Sequence, residues 1–210
     1  MDTARYIFAV LIVSWLPPGM LWWLIVHPFV DVWRKIGPRP TLWIMGTLAI
    51  AGVIGLTAIR DLLVGPDLGT RYTLVVAAAG LGAITTWIAV IRRRQLTTRI
   101  LFGVPELDED NPGTLLTDGI YAHLRHPRYV EVWLGTLAYA CFANYLGAWI
   151  VWLATGPMLH LVVLLEEREL RDRFGGEYEA YMARVPRYLP RLGRGEPNAR
   201  HPSAPGNPEA

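Results

Sequence analysis

Four stretches without a single Asp, Glu, Lys or Arg decide most of what this chain can fold into. Residues 6–26, 41–59 and 72–91 are each close to the length of one membrane crossing, and the fourth, 132–165, runs for 34 residues. About 20 apolar residues in a helix span a hydrocarbon core of about 30 Å, where every backbone polar group has to be satisfied within the segment. As one straight helix the fourth stretch would reach about 51 Å, so it turns back or lies partly in the interface. The tetrapeptide Asn144, Tyr145, Leu146, Gly147 is the natural break, with a helix of about half a bilayer before it and a longer one after it. Composition agrees: 52% of the 210 residues are hydrophobic, 18% are charged and mean hydropathy is positive, which excludes an ordinary soluble domain. The expected fold is an all-α, polytopic helical bundle of about five spans. It has a broken pair at 130–165 and a cytoplasmic C-terminal helical segment.

The first stretch is longer than a signal-peptide core and is read as a retained helix. Pro17 and Pro18 should kink or divide it. Gly156 and Pro157 should bend the last span. Gly46, Gly52, Gly55, Gly80 and Gly82 predict close helix contacts within lipid. Cys141, the single cysteine, is read as a small buried hydrophobe.

A net charge of +2 says little, but its placement is informative. Seventeen of the 20 basic residues fall on one set of alternating connections and only Arg5, Arg60 and Arg71 on the other. The positive-inside rule then puts the N-terminus outside and the C-terminus in the cytoplasm, here of a bacterial-type inner membrane. Three parts follow: 1–91 with three spans, 92–192 with a polar loop, two spans and C-terminal helices, and a Gly- and Pro-rich tail at 193–210 expected to be disordered. The acids Asp108, Glu109 and Asp110 match no calcium loop and are read as a solvated turn.

Polar chemistry gathers at two places. In "GIYAHLRHPRYVEVWLG", Pro127 suits the first turn of a helix, which puts His126 at the N-cap. Free N–H groups, Arg125 and His126 together make an anion pocket there, or else a basic membrane-edge belt. At the far end of the last span, Glu167, Arg168 and Glu169 find i,i+4 partners in Arg171, Asp172 and Arg173. Glu166 has Leu170 and Val162 at those spacings, so its cation has to come from elsewhere.

The two segments together resemble the isoprenylcysteine carboxyl methyltransferase family and the related phospholipid N-methyltransferases. Gly119, Tyr121, Arg125, His126, Pro127 and Tyr129 carry the first motif. Glu166, Glu167, Leu170, Phe174, Gly175, Tyr178 and Tyr181 carry the second, and Val185, Pro186 and Pro190 close it. The resemblance covers roughly residues 113–191. It implies an integral-membrane methyltransferase that uses S-adenosyl-L-methionine without a Rossmann domain. By that analogy the cofactor contacts Gly113, Thr114, Leu115 and Leu116, then Tyr121, then His126, Pro127, Arg128 and Tyr129, next to the Arg125 of the anion pocket. Glu166 is the position nearest the acceptor.

Three positions depart from the family pattern. Gly113 replaces a His, which removes a side-chain contact. Val162 replaces an Arg beside the acceptor carboxylate. Glu131 replaces a Gly, and its charge is costly if it faces lipid. Glu131 either faces the active cavity and orients or deprotonates the acceptor, or pairs with Arg128 or Arg125. The expected partners are the membrane and a lipophilic small molecule or lipid, with no nucleic acid and no metal. The acceptor, its O-, N- or S-character and the oligomeric state do not follow from the sequence. A non-enzymatic transporter or scaffold with the same fold is the rival.

Overall fold

The computed structural model describes residues 1–93 and 114–190, apart from the side chains of His27 and Val30. Asp108, Glu109, Asp110, Gly113 and the tail after residue 193 lie outside the described residues. What is described is an all-helical, membrane-spanning bundle, with no sheet among the described residues beyond one bridge between Asp67 and Tyr145. The helices are α1 (Asp2–Val26), α2 (Val30–Ile36), α3 (Pro38–Ala58), α4 (Arg60–Val64), α5 (Tyr72–Arg93), α6 (Pro127–Ala143), α7 (Leu146–Phe174) and α8 (Gly176–Arg184). Four of them, α1, α3, α5 and α7, are long and apolar enough to cross a membrane.

Helix α1 is the hub. It packs against α3, α6 and α7, while α5 lies along α6. One core joins Ala9, Ile12 and Val13 to Ala140, Ala143 and Ala148, where small side chains bring three helices together. A second joins Met20 to Tyr129, Leu159, Val162 and Val163. The outer helices turn large apolar side chains outward: Trp43, Ile50 and Ile54 on α3, and Val76 and Trp87 on α5. In water such a surface would drive association, whereas in a bilayer it is the face that meets lipid.

The fourth apolar stretch breaks where its sequence expects. Asn144 adopts a left-handed conformation (φ 50°, ψ 48°), and its N–H donates to the Ala140 carbonyl at 2.8 Å. Its Nδ2 donates to the Gly69 carbonyl at 2.7 Å, and its Oδ1 accepts from Trp149 Nε1 at 3.0 Å. An Asn here both tolerates the conformation and ties the turn to the α4–α5 connection. Close approach explains Gly147, where a β-carbon would stand 1.9 Å from the Leu63 carbonyl oxygen.

Several expectations are corrected. The helix before the break is no half-span: α6 begins at Pro127 and its 17 residues reach about 26 Å. Pro17 and Pro18 do not divide α1, which is a single helix of 25 residues. Helix α7 runs without a break through Pro157 to Phe174, and "EERELRDRF" continues the last span as its i,i+4 spacing implies. Of the five glycines expected at helix contacts, only Gly52 has a close neighbour, the Pro18 ring at 3.2 Å; Gly46, Gly55, Gly80 and Gly82 face open space. The reason is position, since α3 and α5 lie at the edge of the bundle. Cys141 is buried, as its apolar setting implies.

One end of the bundle is closed by a polar staple. Arg5, 1% exposed, is paired with Asp67 and donates from Nε to the Ala143 carbonyl at 3.1 Å. Its Nη1 donates to Thr70 Oγ1 at 3.0 Å. One guanidinium thus joins α1, the α4–α5 connection and the end of α6.

Candidate functional site

The opposite end is organised around the start of α6. Pro127 opens that helix and His126 occupies its N-cap position, without a side-chain capping bond. The Arg125 and His126 N–H groups donate to the Pro186 and Arg187 carbonyls at 2.9 and 3.2 Å. The Tyr181 hydroxyl donates to the Tyr121 carbonyl at 2.7 Å. Two segments some sixty residues apart in sequence are therefore clamped together by backbone hydrogen bonds. The helix that returns the chain, α8, starts beyond Gly175, whose φ of 52° is the left-handed geometry that favours glycine.

Glu167 is the centre of this end. Its i,i+4 spacing predicts a local pair with Arg171, but it is 1% exposed. Arg187 grips it with both nitrogens, Nε to Oε1 at 3.0 Å and Nη2 to Oε2 at 2.6 Å. His126 Nε2 stands 3.0 Å from Oε1 and Arg125 Nη1 3.2 Å from the same oxygen. A carboxylate accepts only, so His126 carries a proton on Nε2. Its other nitrogen, Nδ1, faces Glu166 Oε2 at 3.6 Å. Among the described residues, a protonated His126 is one cation beside Glu166.

These charges set the ionisation of their neighbours. Burial alone would lower the His126 pKa, but the neighbouring Glu166 carboxylate and the hydrogen-bonded Glu167 carboxylate outweigh it and raise the pKa above 6.5. Burial pushes the Tyr178 phenol well above its usual range, and Tyr181 to about 12, so both remain neutral donors.

Beside this cluster lies a cavity of about 120 Å³. Thr114, Leu115, Leu116, Tyr121, Arg125, His126, Pro127, Arg128, Tyr129 and Glu166 all line it. Every described residue singled out for the cofactor is brought to one place, with Glu166 among them. Gly113 lies outside the described residues. Sequence reasoning missed two lining residues, Trp23 and Arg173. Trp23 comes from α1 and stacks under the Arg128 guanidinium at 4.5 Å, a contact that nothing local announces. The i,i+4 spacing of Arg173 points to Glu169 alone. Whole ligand sites usually enclose about 300–1,000 Å³, so a nucleoside-sized ligand reaches beyond this cavity.

Glu131 is not part of that lining. It pairs with Arg92 at the end of α5, Nε to Oε2 at 2.8 Å and Nη2 to Oε1 at 3.3 Å. Neither expected partner, Arg128 nor Arg125, makes this pair, because α5 packs along α6 and brings its own arginine alongside. Glu131 borders a separate cavity of about 520 Å³ between α1, α5 and α6, lined mainly by Leu11, Trp15, Thr85, Thr86 and Thr136. Among the described residues, no group of three or more His, Cys, Asp or Glu could hold a metal ion.

No protein-family model matches the chain. It is similar to the protein-S-isoprenylcysteine O-methyltransferase of Schizosaccharomyces pombe, 34% identical over 77 residues. The match takes in 36% of this chain, which spans about a third (33%) of the length of that relative.

Proposed function

We propose that this protein transfers a methyl group from S-adenosyl-L-methionine to a lipophilic acceptor at the cytoplasmic edge of a membrane, most like isoprenylcysteine carboxyl O-methylation. The observation that carries this reading is the single cavity shared by Thr114, Leu115, Leu116, Tyr121, the Arg125–Tyr129 turn and Glu166. The partial match to the yeast methyltransferase supports the same reading. The residues suit such a cofactor. Glu166 offers a negative charge to a cationic, zwitterionic ligand, and the start of α6 with its arginines offers positive charge to an anionic group.

When bound, the cofactor supplies an electrophilic methyl on a positively charged sulfur. Its displacement is in-line and depends on positioning and on exclusion of water. The chain's own part follows from that. Tyr121, Tyr129 and Leu115 form a largely apolar wall, the His126–Glu166 pair fixes the carboxylate, and the Glu167 cluster holds the α6 start rigid beneath it. The bias of seventeen of the 20 basic residues to one set of connections supports a cytoplasmic position for this end, where the cofactor is available, while a lipophilic acceptor enters from the bilayer.

A second reading, an amine acceptor, is supported by one observation. Val162, where the family resemblance expects an acceptor-binding arginine, is fully buried against Met20, Tyr129 and Leu159. An ammonium acceptor must lose a proton before it attacks, and Glu166 is the carboxylate at hand.

Calorimetric titration of the purified protein with S-adenosylmethionine, or with its demethylated product, tests the reading first. Binding is expected. No heat from well-folded protein would favour a transporter or scaffold. Transfer of labelled methyl into a lipid extract, with mass analysis, then identifies the acceptor. Alkali releases label from an ester and leaves label on an amine.

A further inference from the structure

The cavity contains hydrogen-bonding capacity that the protein does not use. Three arginines line it, and two are engaged: Arg125 with Glu167, and Arg128 over the Trp23 ring. Nε and Nη1 of both Arg125 and Arg173 are buried and make no hydrogen bond among the described residues, but Arg125 stands 3.2 Å from the buried Glu167 carboxylate, whereas Arg173 is held more loosely. A carboxylate oxygen, Glu169 Oε1, stands 3.7 Å from Arg173 Nη1 and also 3.5 Å from Arg34. The Arg173 guanidinium lies 4.9 Å above the Phe174 ring, which also lines the cavity, so its plane is braced while donors remain unused. A second, independent donor behaves the same way. The Tyr178 hydroxyl is buried in a side chain 1% exposed, lines the same cavity and has no hydrogen-bond partner among the described residues.

Buried N–H and O–H groups without partners are costly and uncommon in folded proteins. Where they line a cavity, the acceptor they lack is supplied by what the cavity binds. A guanidinium calls for an anion, and carboxylate is the anion its forked donors fit best among groups that a zwitterionic amino-acid ligand offers. We infer that Arg173 is the anchor for the amino-acid carboxylate of the ligand bound here, with the Tyr178 hydroxyl as a further donor to that ligand. The inference rests on the proposed use of S-adenosylmethionine and names which end of the molecule α7 and α8 hold. Arg173 stands at the junction of these two helices, so the carboxylate bridges the charged extension of the last span to the clamp made by α8.

The test compares two competitors of labelled S-adenosylmethionine on the full chain in detergent or lipid discs. One is S-adenosylhomocysteine; the other is its decarboxylated analogue, which lacks only the carboxylate. Wild-type protein should prefer the first by about ten- to a hundredfold, the range for a hydrogen bond to a charged group. Arg173→Gln should remove that preference while leaving the affinity of the decarboxylated analogue unchanged. Arg173→Lys, which keeps the charge and loses the fork, should keep part of it, and Tyr178→Phe should weaken binding less. If Arg173→Gln weakens both competitors alike, the residue is structural and the inference fails. It also fails if the preference survives intact. If wild-type protein binds no labelled S-adenosylmethionine, the proposed function itself fails, and that outcome is separate from the other two.

Discussion

The two ends of the bundle use the same device to different effect. At one end, Arg5 is buried and its guanidinium is occupied by Asp67, Thr70 and the Ala143 carbonyl. At the other, Glu167 is buried and is occupied by Arg187, His126 and Arg125. Each is a single charge that ties three parts of the chain together. Around Arg5 the neighbouring groups close on one another and form a staple. Around Glu167 the neighbours belong to a cavity, and Arg173 and Tyr178 keep donors in reserve. A buried ion pair is thus no marker of function by itself. What separates the two ends is the polar capacity left over beside the pair.

Glu167 and Asp67, the carboxylates of the two ends, should respond very differently to removal of their charge. Glu167→Gln leaves three cationic groups around a neutral amide and should destabilise the protein by about 3 kcal/mol or more, the usual result of leaving buried charges without their partner. It should also abolish cofactor binding, because the Arg125–Tyr129 turn loses its support. Asp67→Asn should cost about 1 kcal/mol, since the Asp67 side chain is 39% exposed and water already screens the pair. Cofactor binding should be retained in that variant. Thermal unfolding and titration of both variants check this. Equal loss of binding in the two would erase the proposed distinction between staple and site.

What the sequence reveals and what it hides divide along the same line. The spans follow from uncharged length, and the break at Asn144 from the excess of that length over a bilayer. Pro127 announces the start of α6 because a helix start accepts a residue without an N–H. These are local constraints. The environment of Glu167 was not legible: Arg171 sits at its i+4 position, yet Arg187, twenty residues on, wins because the chain folds back after Gly175. The partner of Glu131 lies 39 residues earlier, and the contact exists only because α5 packs on α6. Spacing proposes nearby partners; packing decides among distant ones. The glycines of α3 and α5 teach the same point, since a small residue permits a close contact without choosing the neighbour.

The Glu131–Arg92 pair lies between α5 and α6 and is closed on itself. Both side chains are largely buried, 19% and 8% exposed, and the two hydrogen bonds leave neither group in reserve. By the criterion above this is a staple. Glu131→Gln should therefore destabilise by about 2 kcal/mol through the buried Arg92 left behind, with turnover and cofactor affinity of the folded protein at wild-type levels. Exchanging the pair, Arg92→Glu with Glu131→Arg, should recover part of the stability. A marked fall in turnover with folding and cofactor affinity intact would move Glu131 to the acceptor and out of the staple class.

The smallest effect expected is a difference in pH response between the two ends. The His126 pKa is raised by Glu166 and Glu167 against the opposing effect of burial, with Arg125 and Arg187 on Glu167 and the Tyr129 and Tyr188 rings at 5.7 and 6.4 Å. Its contribution to stability is fully present below the unfolded value of 6.5 and is lost as pH rises through the higher folded value. Asp67 is the reverse case. Its hydrogen bond from Arg5 outweighs burial and holds its carboxyl below 3.8, so its contribution is present above that value and is lost as pH falls through the folded one. Unfolding midpoints across a pH series, for wild type against His126→Gln and against Asp67→Asn, read the two terms separately. The gap to His126→Gln should close toward alkaline pH, and the gap to Asp67→Asn toward acid. A His126 gap that widens on the alkaline side would mean that the imidazole is held neutral, and the pairing assigned to Glu166 would fall with it.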